Sequence, residues 1–193
     1  MLSGLFQSAV TLMTGVLYYA VDFWLIGRHD RLRSEEGSGR SWGYTALMVS
    51  ALALLVAQPV ALPALGMQVE GPCGIAMQAL GLALLIVAFS LHWWARAHLR
   101  QFYVEDVVLQ KDHALVDTGP YRYVRHPIFT SFIVIALGLL LVNPALSTLL
   151  ITVYTVWDFS RAAVQEERLL LSNLDGYASY KRRTGRFIPR IWG

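Results

Sequence analysis

Long apolar runs separated by charged loops set the pattern of this chain. Three of them, over residues 5–27, 42–62 and 75–95, have the length of a membrane span, since about 20 mainly apolar residues cross the hydrocarbon core of a bilayer. A fourth run, over residues 128–157, is too long for one comfortable span, and the Asn143-Pro144 pair at its middle is a turn signal. We interpret this run as a short helical hairpin. The pattern therefore predicts an all-α polytopic membrane protein with five transmembrane helices.

The composition agrees with this class. Hydrophobic residues make up 55% of the chain and charged residues 15%, which is too apolar for an ordinary soluble domain. The single cysteine, Cys73, excludes an internal disulfide framework and a thiolate metal site. His92 and His98 fall on different helical faces, so paired metal ligation is not expected. With Trp93 and Trp94, His92 is interpreted as part of an interfacial belt. We expect neither a metal nor a nucleic-acid partner.

The positive charges predict the orientation of the chain. All 16 lysine and arginine residues fall in three segments, 28–40, 96–125 and 161–190. Such residues collect in the cytoplasmic loops of membrane proteins. With five spans these segments share one side of the membrane, which predicts a cytoplasmic C-terminus and an N-terminus on the outer side. The chain then divides into three spans over residues 1–100 and a connector, hairpin and helical tail over residues 101–193.

The segment from Gly119 to Pro127 places aromatic and cationic residues directly before the fourth apolar run. Pro127 suits the first turn of the helix that begins there, which puts His126 near its N-cap. Tyr121 and Arg125 then lie close to unpaired backbone N–H groups, whose partial positive charge favours an anionic ligand group. The alternative is that these residues only anchor the helix at the lipid headgroups.

A second candidate lies in the tail. Glu166 and Glu167 continue the last helix out of the bilayer, and Glu167 shares a helical face with Leu170 and Leu174. A carboxylate on an apolar face needs a partner. The alternative is a helix-surface pair with Arg168 or Arg161, which contributes little energy and has no function.

Several short motifs occur here in the order found in one known family. They are Gly119-Pro120-Tyr121, Arg125-His126-Pro127, Glu166-Glu167, Gly176-Tyr177 and Arg186 to Pro189. With the Asn143-Pro144 hairpin, they resemble the C-terminal half of the isoprenylcysteine carboxyl methyltransferase family and its prokaryotic relatives, over about residues 110–189. The superfamily also includes phospholipid and thiol methyltransferases, so the motifs are less specific for the substrate than for the superfamily.

The resemblance implies an integral membrane enzyme that takes a methyl group from S-adenosylmethionine and leaves S-adenosylhomocysteine. The substrate would be a lipophilic or lipidated molecule that enters from the bilayer, and carboxyl methylation of an isoprenylcysteine-like molecule is the reaction implied first. Residues 101–193 would form the cofactor-binding, catalytic region on the cytoplasmic side. The implied cofactor pocket is lined by His113, Leu115, Val116, Tyr121, Arg125, His126, Pro127, Phe129 and Glu167.

The chemistry of these side chains suits the parts of the cofactor. Its carboxylate suits Arg125 and His126, its sulfonium and adenine suit the aromatic faces of Tyr121 and Phe129, and its ammonium group suits Glu167. Methyl transfer needs mainly a dry site with the reactants held in line. This interpretation requires Glu167 to face His126 across a cleft.

Three positions depart from the family pattern and leave the acceptor open. Phe129 and Ser131 stand where the family has tyrosine and glycine, and Ala163 stands where carboxyl-methylating members have arginine. The nearest arginine is Arg161, which we assign to the substrate carboxylate as a catalytic residue beside Glu167. Without that clamp, a lipophilic thiol or a phospholipid amine becomes as plausible an acceptor, with Glu167 or a bound water as the base.

Two other classes remain as alternatives. Sterol reductases, which use NADPH, have a similar Arg-His-Pro pattern, but they tend to have asparagine where this chain has Ile128. A transporter or membrane scaffold would also explain the spans, with the basic tail contacting membrane lipids. Few ionisable residues lie within the spans, however, so there is no convincing ion path. The oligomeric state is not predicted.

Overall fold

A computed structural model describes residues 1–2, 4–29, 42–99 and 115–190 of the chain. Those residues form helices and connecting turns without a β-strand, which confirms the predicted all-α class. The helices are α1 (Leu5–His29), α2 (Trp42–Ala61), α3 (Gly71–Leu99), α4 (Pro127–Val142), α5 (Leu146–Asn173) and α6 (Tyr177–Arg183), with short 3-10 turns at Pro63–Leu65 and Gly119–Arg122.

The predicted turn at Asn143-Pro144 joins α4 to α5. The backbone N–H of Asn143 closes α4 by donating to the carbonyl of Leu139 at 2.8 Å, and Ala145 is extended before α5 begins. The hairpin is therefore confirmed, but its second arm is not short. Helix α5 is one unbroken helix of 28 residues that carries the chain on to Asn173, with Glu167 in its outer part.

The outer surface of the helices is apolar, as a lipid environment requires. Ile86 on α3 and Leu150 on α5, for example, are 69% and 60% exposed. Among the described residues, one helix, Gly71–Leu99, is long and apolar enough by length and composition to cross a membrane, and shorter apolar stretches occur in α1, α2 and α4. The count of five spans stays a prediction.

Helices α3 and α4 approach each other closely at a pair of glycines, Gly81 and Gly138. A Cβ atom placed on Gly81 would lie 2.7 Å from the carbonyl oxygen of Gly138, so neither helix has room for a side chain there. Gly81 lies in the first half of α3 and Gly138 lies near the end of α4, and farther along this antiparallel pair the start of α4 packs against the end of α3. There Ala95, Tyr121 and Ile128 form a buried cluster beside the functional residues described below.

Buried amides hold the opposite end of the bundle together. Gln7 and Gln78 both donate to the free carbonyl of Val142 at 3.2 Å, and Asn143 Nδ2 donates to Gln58 Oε1 at 2.8 Å. The last turn of a helix leaves carbonyls without hydrogen-bond partners. Gln7 and Gln78 supply the partners for the carbonyl of Val142. Helices α1, α2 and α3 are thereby tied to the turn of the hairpin.

Candidate active site around Glu167

The C-terminal tail folds back against the start of α4. The N–H groups of Arg125 and His126 donate to the carbonyls of Gly185 at 2.9 Å and Arg186 at 3.1 Å, and the Thr130 hydroxyl donates to the carbonyl of Phe187 at 3.1 Å. These backbone hydrogen bonds place the tail beside the Arg-His-Pro motif. Three separate parts of the chain, the start of α4, the outer part of α5 and the tail, therefore meet in one place.

Glu167 lies at the centre of this meeting point. Its side chain is buried, and both carboxylate oxygens contact cationic groups. Arg125 donates from Nε to Oε1 at 3.0 Å, Arg186 donates to Oε1 at 2.9 Å and to Oε2 at 3.1 Å, and Lys181 Nζ lies 2.9 Å from Oε2. The prediction that Glu167 needs a partner is thus confirmed. The partners come from the α4 start and the tail rather than from Arg161.

The charges around Glu167 control its ionisation. Burial raises the pKa of the Glu167 carboxyl, but the contacts from His126, Arg186 and Lys181 and the charge of Arg125 lower it by more. The net pKa lies well below the ordinary value, so the group is a carboxylate at neutral pH. A buried carboxylate of this kind holds its cationic neighbours in place and is a weak base.

His126 stands at the N-cap of α4, as predicted, and is buried. Its Nδ1 lies 3.3 Å from Oε2 of Glu166 and its Nε2 lies 3.4 Å from Oε1 of Glu167, while its ring stacks on Phe129 with centroids 5.3 Å apart. Burial lowers the pKa of His126, but the two carboxylates raise it by more, so the net pKa is above the ordinary value. We expected Glu167 to face His126 across a cleft. The two side chains do face each other, but they are in contact, so the expectation of a cleft between them is wrong.

Several other residues predicted for the cofactor pocket gather beside this cluster. Tyr121 and Pro127 are buried, and Val116 and Phe129 pack with Tyr121 against Ala95. Leu115 is half-buried and lies beside Gly176, at the turn before α6. His113 falls outside the residues that the structure describes. The described members of the predicted set thus lie on the same side of the bundle as the Glu167 cluster.

Arg161 has a different environment. It is exposed, and its guanidinium lies 4.7 Å above the ring of Trp157. Since Arg161 precedes Glu167 by six positions on α5, the two side chains leave the helix on different faces. The structure does not bring Arg161 into the Glu167 cluster.

The interpretation of His92 as an interfacial residue is wrong. Trp93 and Trp94 are exposed, but His92 is fully buried, with its Nδ1 3.1 Å from the hydroxyl of Ser131 and its ring packed edge-on against Tyr18 and Phe132. Successive residues of a helix point about 100° apart, so a buried histidine fits directly beside exposed tryptophans. Ser131 thus has a contact of its own at the position where it departs from the family pattern.

Known proteins are similar to part of this chain. The model of the isoprenylcysteine carboxyl methyltransferase (ICMT) family matches residues 80–172, which include α4 and most of α5. Over these residues the chain is similar to the ICMT family. The matched segment carries both His126 and Glu167, so the two helices that form the cluster both lie within the ICMT region.

Individual relatives show how far the likeness extends. The protein-S-isoprenylcysteine O-methyltransferase of Schizosaccharomyces pombe is 40% identical over 83 residues, which are 42% of this chain and 35% of that protein. The cobalt-zinc-cadmium resistance protein CzcN of Cupriavidus metallidurans is 31% identical over 83 residues, 42% of this chain and 38% of that protein. The matches therefore span little more than a third of each curated relative's length.

The fold as a whole has a counterpart among solved structures. The structure of a eukaryotic intramembrane Ras methyltransferase, ICMT, superimposes with a TM-score of 0.69 at 23% sequence identity. The superposition covers 94% of this chain and 65% of that chain. The similarity in fold thus extends to α1, α2 and the start of α3, which lie before residue 80, where the match to the family model begins.

Proposed function

We propose that this chain is a methyltransferase that uses S-adenosylmethionine and methylates a lipophilic substrate at the membrane. The observation that carries the proposal is the buried cluster in which Arg125 and His126, at the start of α4, meet Glu167 from α5. Similarity to the ICMT family supports the reaction class, because the similar curated proteins include enzymes named protein-S-isoprenylcysteine O-methyltransferase.

The donor set of the cluster fits the amino-acid end of the cofactor. Arg125, Lys181 and Arg186 can bind a carboxylate, and Glu167 can bind an ammonium group. Three cationic side chains here face the two carboxylates of Glu166 and Glu167, which leaves an excess of positive charge for an anionic group. The buried ring of Tyr121 and the stacked ring of Phe129 offer faces for a sulfonium or an adenine.

The residues of this chain contribute binding, orientation and exclusion of water. Bound S-adenosylmethionine would supply an electrophilic methyl group. The tail covers one side of the cluster and is held there by its backbone hydrogen bonds to Arg125 and His126. A displacement of this type gains most from reactants held in line, and a site whose side chains are mutually paired and buried is already organised for that.

The substrate proposed first is the carboxylate of an isoprenylcysteine-like molecule. A carboxylate needs no deprotonation before methylation, which agrees with the lowered pKa of Glu167. Arg161 is then the substrate clamp. It lies on the exposed side of α5 with Trp157, where a lipid chain that approaches from the bilayer can reach it.

The proposal includes a topology. Five spans place the cluster and the tail on the cytoplasmic side, where a charged cofactor is available, with the N-terminus outside. Its support is the charge distribution, with all 16 lysines and arginines in the three segments assigned to that side.

The test is ligand-induced stabilisation of the purified protein in detergent. A ligand that binds only the folded state increases the free energy of unfolding, by about 3 kcal/mol at a free concentration of a hundred times Kd. The unfolding temperature rises accordingly. We expect S-adenosylhomocysteine to stabilise the wild type and NADPH to have no effect. Glu167→Gln should weaken the response and Glu166→Gln should retain most of it. Stabilisation by NADPH alone would transfer the chain to the reductase class.

A further inference from the structure

Side chains of the same chain occupy both oxygens of the Glu167 carboxylate. Arg125 donates to Oε1, Arg186 donates to both oxygens, and Nζ of Lys181 lies 2.9 Å from Oε2. Nε2 of His126 lies 3.4 Å from Oε1. In the proposed function, this same carboxylate binds the ammonium group of the cofactor. One of the four neighbours must therefore leave before that group can bind.

These neighbours differ in how firmly they are held. The side chains of Arg125 and His126 are buried. Arg125 Nη1 also donates to the backbone carbonyls of Lys181 and Thr184. Arg186 is 37% exposed, but its planar guanidinium contacts both carboxylate oxygens. Among the residues that the structure describes, Lys181 makes one charge contact, and it is 36% exposed at the end of a flexible, strongly hydrated side chain. Lys181 therefore leaves at the lowest cost in free energy.

Release of Lys181 needs no movement of the tail, because the backbone on both sides of it is fixed. Tyr180 Oη donates to the carbonyl of Tyr121 at 2.7 Å, and the Thr184 hydroxyl donates to the carbonyl of Tyr180 at 2.7 Å. Arg125 holds the Lys181 carbonyl itself at 3.1 Å. Rotation of the lysine side chain alone removes Nζ from Oε2 and leaves a position of ammonium size beside the buried carboxylate. Exposed side chains change rotamer within nanoseconds.

We propose that Lys181 is an exchangeable latch on the cofactor site: its ammonium group holds Glu167 until the ammonium group of the entering cofactor replaces it, and the lysine then turns out into water. This inference rests on the proposed function and adds a means of regulating its site. Arg125 and Arg186 stay in place, where they can bind the cofactor carboxylate.

The exchange keeps the charge at Glu167 unchanged. One primary ammonium group leaves Oε2 and another takes its place, so the buried carboxylate does not lose a partner. The released lysine regains hydration at an exposed position, and an ion pair with one exposed member is weak enough for a ligand to displace. If the lysine is released in about a tenth of the molecules, the latch lowers the apparent affinity for the cofactor about tenfold.

The first test is titration calorimetry of the full chain in detergent with S-adenosylhomocysteine. Lys181→Met removes the ammonium group and keeps an unbranched side chain. We expect this variant to bind the ligand about tenfold more tightly than the wild type, although it should unfold at a lower temperature without ligand because Glu167 has lost a partner. Weaker binding would make Lys181 a ligand of the cofactor, and unchanged binding would show that it does not compete. Either result overturns the inference.

Two further variants separate the charge from other effects of the substitution. Lys181→Arg keeps the charge and adds donors in a planar fork, so it should hold Glu167 at least as firmly and should not bind the ligand more tightly than the wild type. Arg182→Met removes an exposed cation from the next position of α6 and should leave the affinity unchanged. Tighter binding by either variant would show that the gain in Lys181→Met does not come from loss of the latch.

A shortened ligand locates the exchange. 5′-Methylthioadenosine has the nucleoside and the thioether of S-adenosylhomocysteine but no amino-acid end, so it does not compete with Lys181 for Glu167. Its affinity should be the same in the wild type and in Lys181→Met. An equal gain for both ligands would place the lysine in the way of the nucleoside and overturn an exchange at Glu167.

Chemical labelling follows the lysine in the wild type, so it does not depend on the folding of a variant. The chain has two lysines, Lys111 and Lys181, whose acetylation mass spectrometry resolves. Saturation with S-adenosylhomocysteine should accelerate acetylation of Lys181 up to about tenfold, since the released fraction rises from about a tenth to nearly all molecules. A ligand that contacts a lysine protects it instead. Unchanged or slower acetylation of Lys181 would overturn the inference.

These readouts also distinguish the inference from the proposed function. If S-adenosylhomocysteine binds the wild type and Lys181→Met equally, the latch fails and the proposed function stands. If it binds neither protein, the proposed function fails, and the latch fails with it because it needs the cofactor.

Discussion

Nε2 of His126 lies 3.4 Å from Oε1 of Glu167, which joins the first residue before α4 to the outer part of α5. These helices are also joined at their other ends by the turn at Asn143-Pro144. The hairpin is thus closed at both ends, by a turn on one side and a charge contact on the other. The cluster therefore has two roles, since it forms the proposed cofactor site and fixes the hairpin that carries it.

Glu167→Gln should destabilise the protein and weaken cofactor binding together. The change removes the negative charge that Arg125, Lys181 and Arg186 share. Removing one partner of a buried ion pair costs about 3 to 5 kcal/mol, and we expect about 3 because Lys181 and Arg186 are 36% and 37% exposed and can rehydrate. Thermal unfolding and S-adenosylhomocysteine titration in the same detergent measure both effects.

The control for this change is its neighbour on the helix. Glu166 is 37% exposed and contacts only the Nδ1 side of His126 among the pairs that the structure describes. Glu166→Gln should therefore cost about 1 kcal/mol or less. Equal losses in the two variants would mean that Glu167 is not the centre of the cluster.

Stability should depend on pH through His126. Its pKa is raised in the folded state, so the folded protein holds this proton more tightly than the unfolded chain does. The stability that it contributes is complete below the unfolded value of about 6.5 and is lost as the pH rises through the higher folded value. The unfolding temperature of the wild type, measured relative to His126→Gln, should fall as the pH rises above about 6.5.

Glu167 acts in the opposite direction at the acid end. Because its folded pKa is lowered, its contribution is complete above the unfolded value of about 4.3 and is lost as the pH falls toward the folded value. The cluster should thus be most stabilising between about pH 4.5 and about pH 6.5. A wild-type protein whose stability, relative to His126→Gln, rose from neutral to alkaline pH would contradict this account.

Local signals in the sequence predict the elements but not all of the contacts. Pro127 predicts the start of α4 because a proline favours the first turn, and Asn143-Pro144 predicts the turn because a proline cannot continue the helix. The pairing of Glu167 with Lys181 and Arg186 depends on the tail folding back through backbone hydrogen bonds, which leave no pattern of side chains. It is a long-range contact, and the resemblance to a family indicated it only through the order of the motifs.

His92 shows a different limit of the same approach. Its neighbours Trp93 and Trp94 dominate the local composition and favour the membrane interface, where aromatic rings collect. Burial of His92 depends on the helix face, and helices with apolar residues all around give no face to read from the sequence. Its partner Ser131 is visible in the sequence only as a departure from the family pattern.

Gly119→Ala should cost more stability than the same change at Gly71. Both glycines have positive φ, +57° and +69°, where an alanine costs about 1 kcal/mol. A Cβ on Gly71 meets no atom within 4 Å, but one on Gly119 would lie 2.4 Å from the ring of His98. We expect about 1 kcal/mol for Gly71→Ala and about 2 to 4 for Gly119→Ala. Equal unfolding temperatures would exclude tight packing of the Gly-Pro-Tyr turn on α3.

Gly81→Ala should also destabilise, against the usual trend for helices. In a helix with free space, alanine is favoured over glycine by about 1 kcal/mol. At Gly81 the added Cβ would lie 2.7 Å from the backbone oxygen of Gly138 and 3.0 Å from Cβ of Leu141, so the helices must separate. We expect a loss of about 1 to 3 kcal/mol. A gain in the unfolding temperature would show that α3 and α4 are not in close contact here.

Arg161→Gln should affect the substrate and leave the cofactor unchanged. Arg161 stands apart from the Glu167 cluster and covers Trp157 on the exposed side of α5. If it clamps the carboxylate of a farnesylated cysteine, its loss removes a charge-assisted hydrogen bond and raises KM about tenfold, while the affinity for S-adenosylhomocysteine stays the same. Arg168→Gln is the matched control, since it removes a second exposed arginine from the same helix without touching the Trp157 stack. An unchanged KM in Arg161→Gln would show that Arg161 does not bind the substrate carboxylate. An equal rise in KM in both variants would show that Arg161 acts only through the general attraction of anionic substrates to the basic surface.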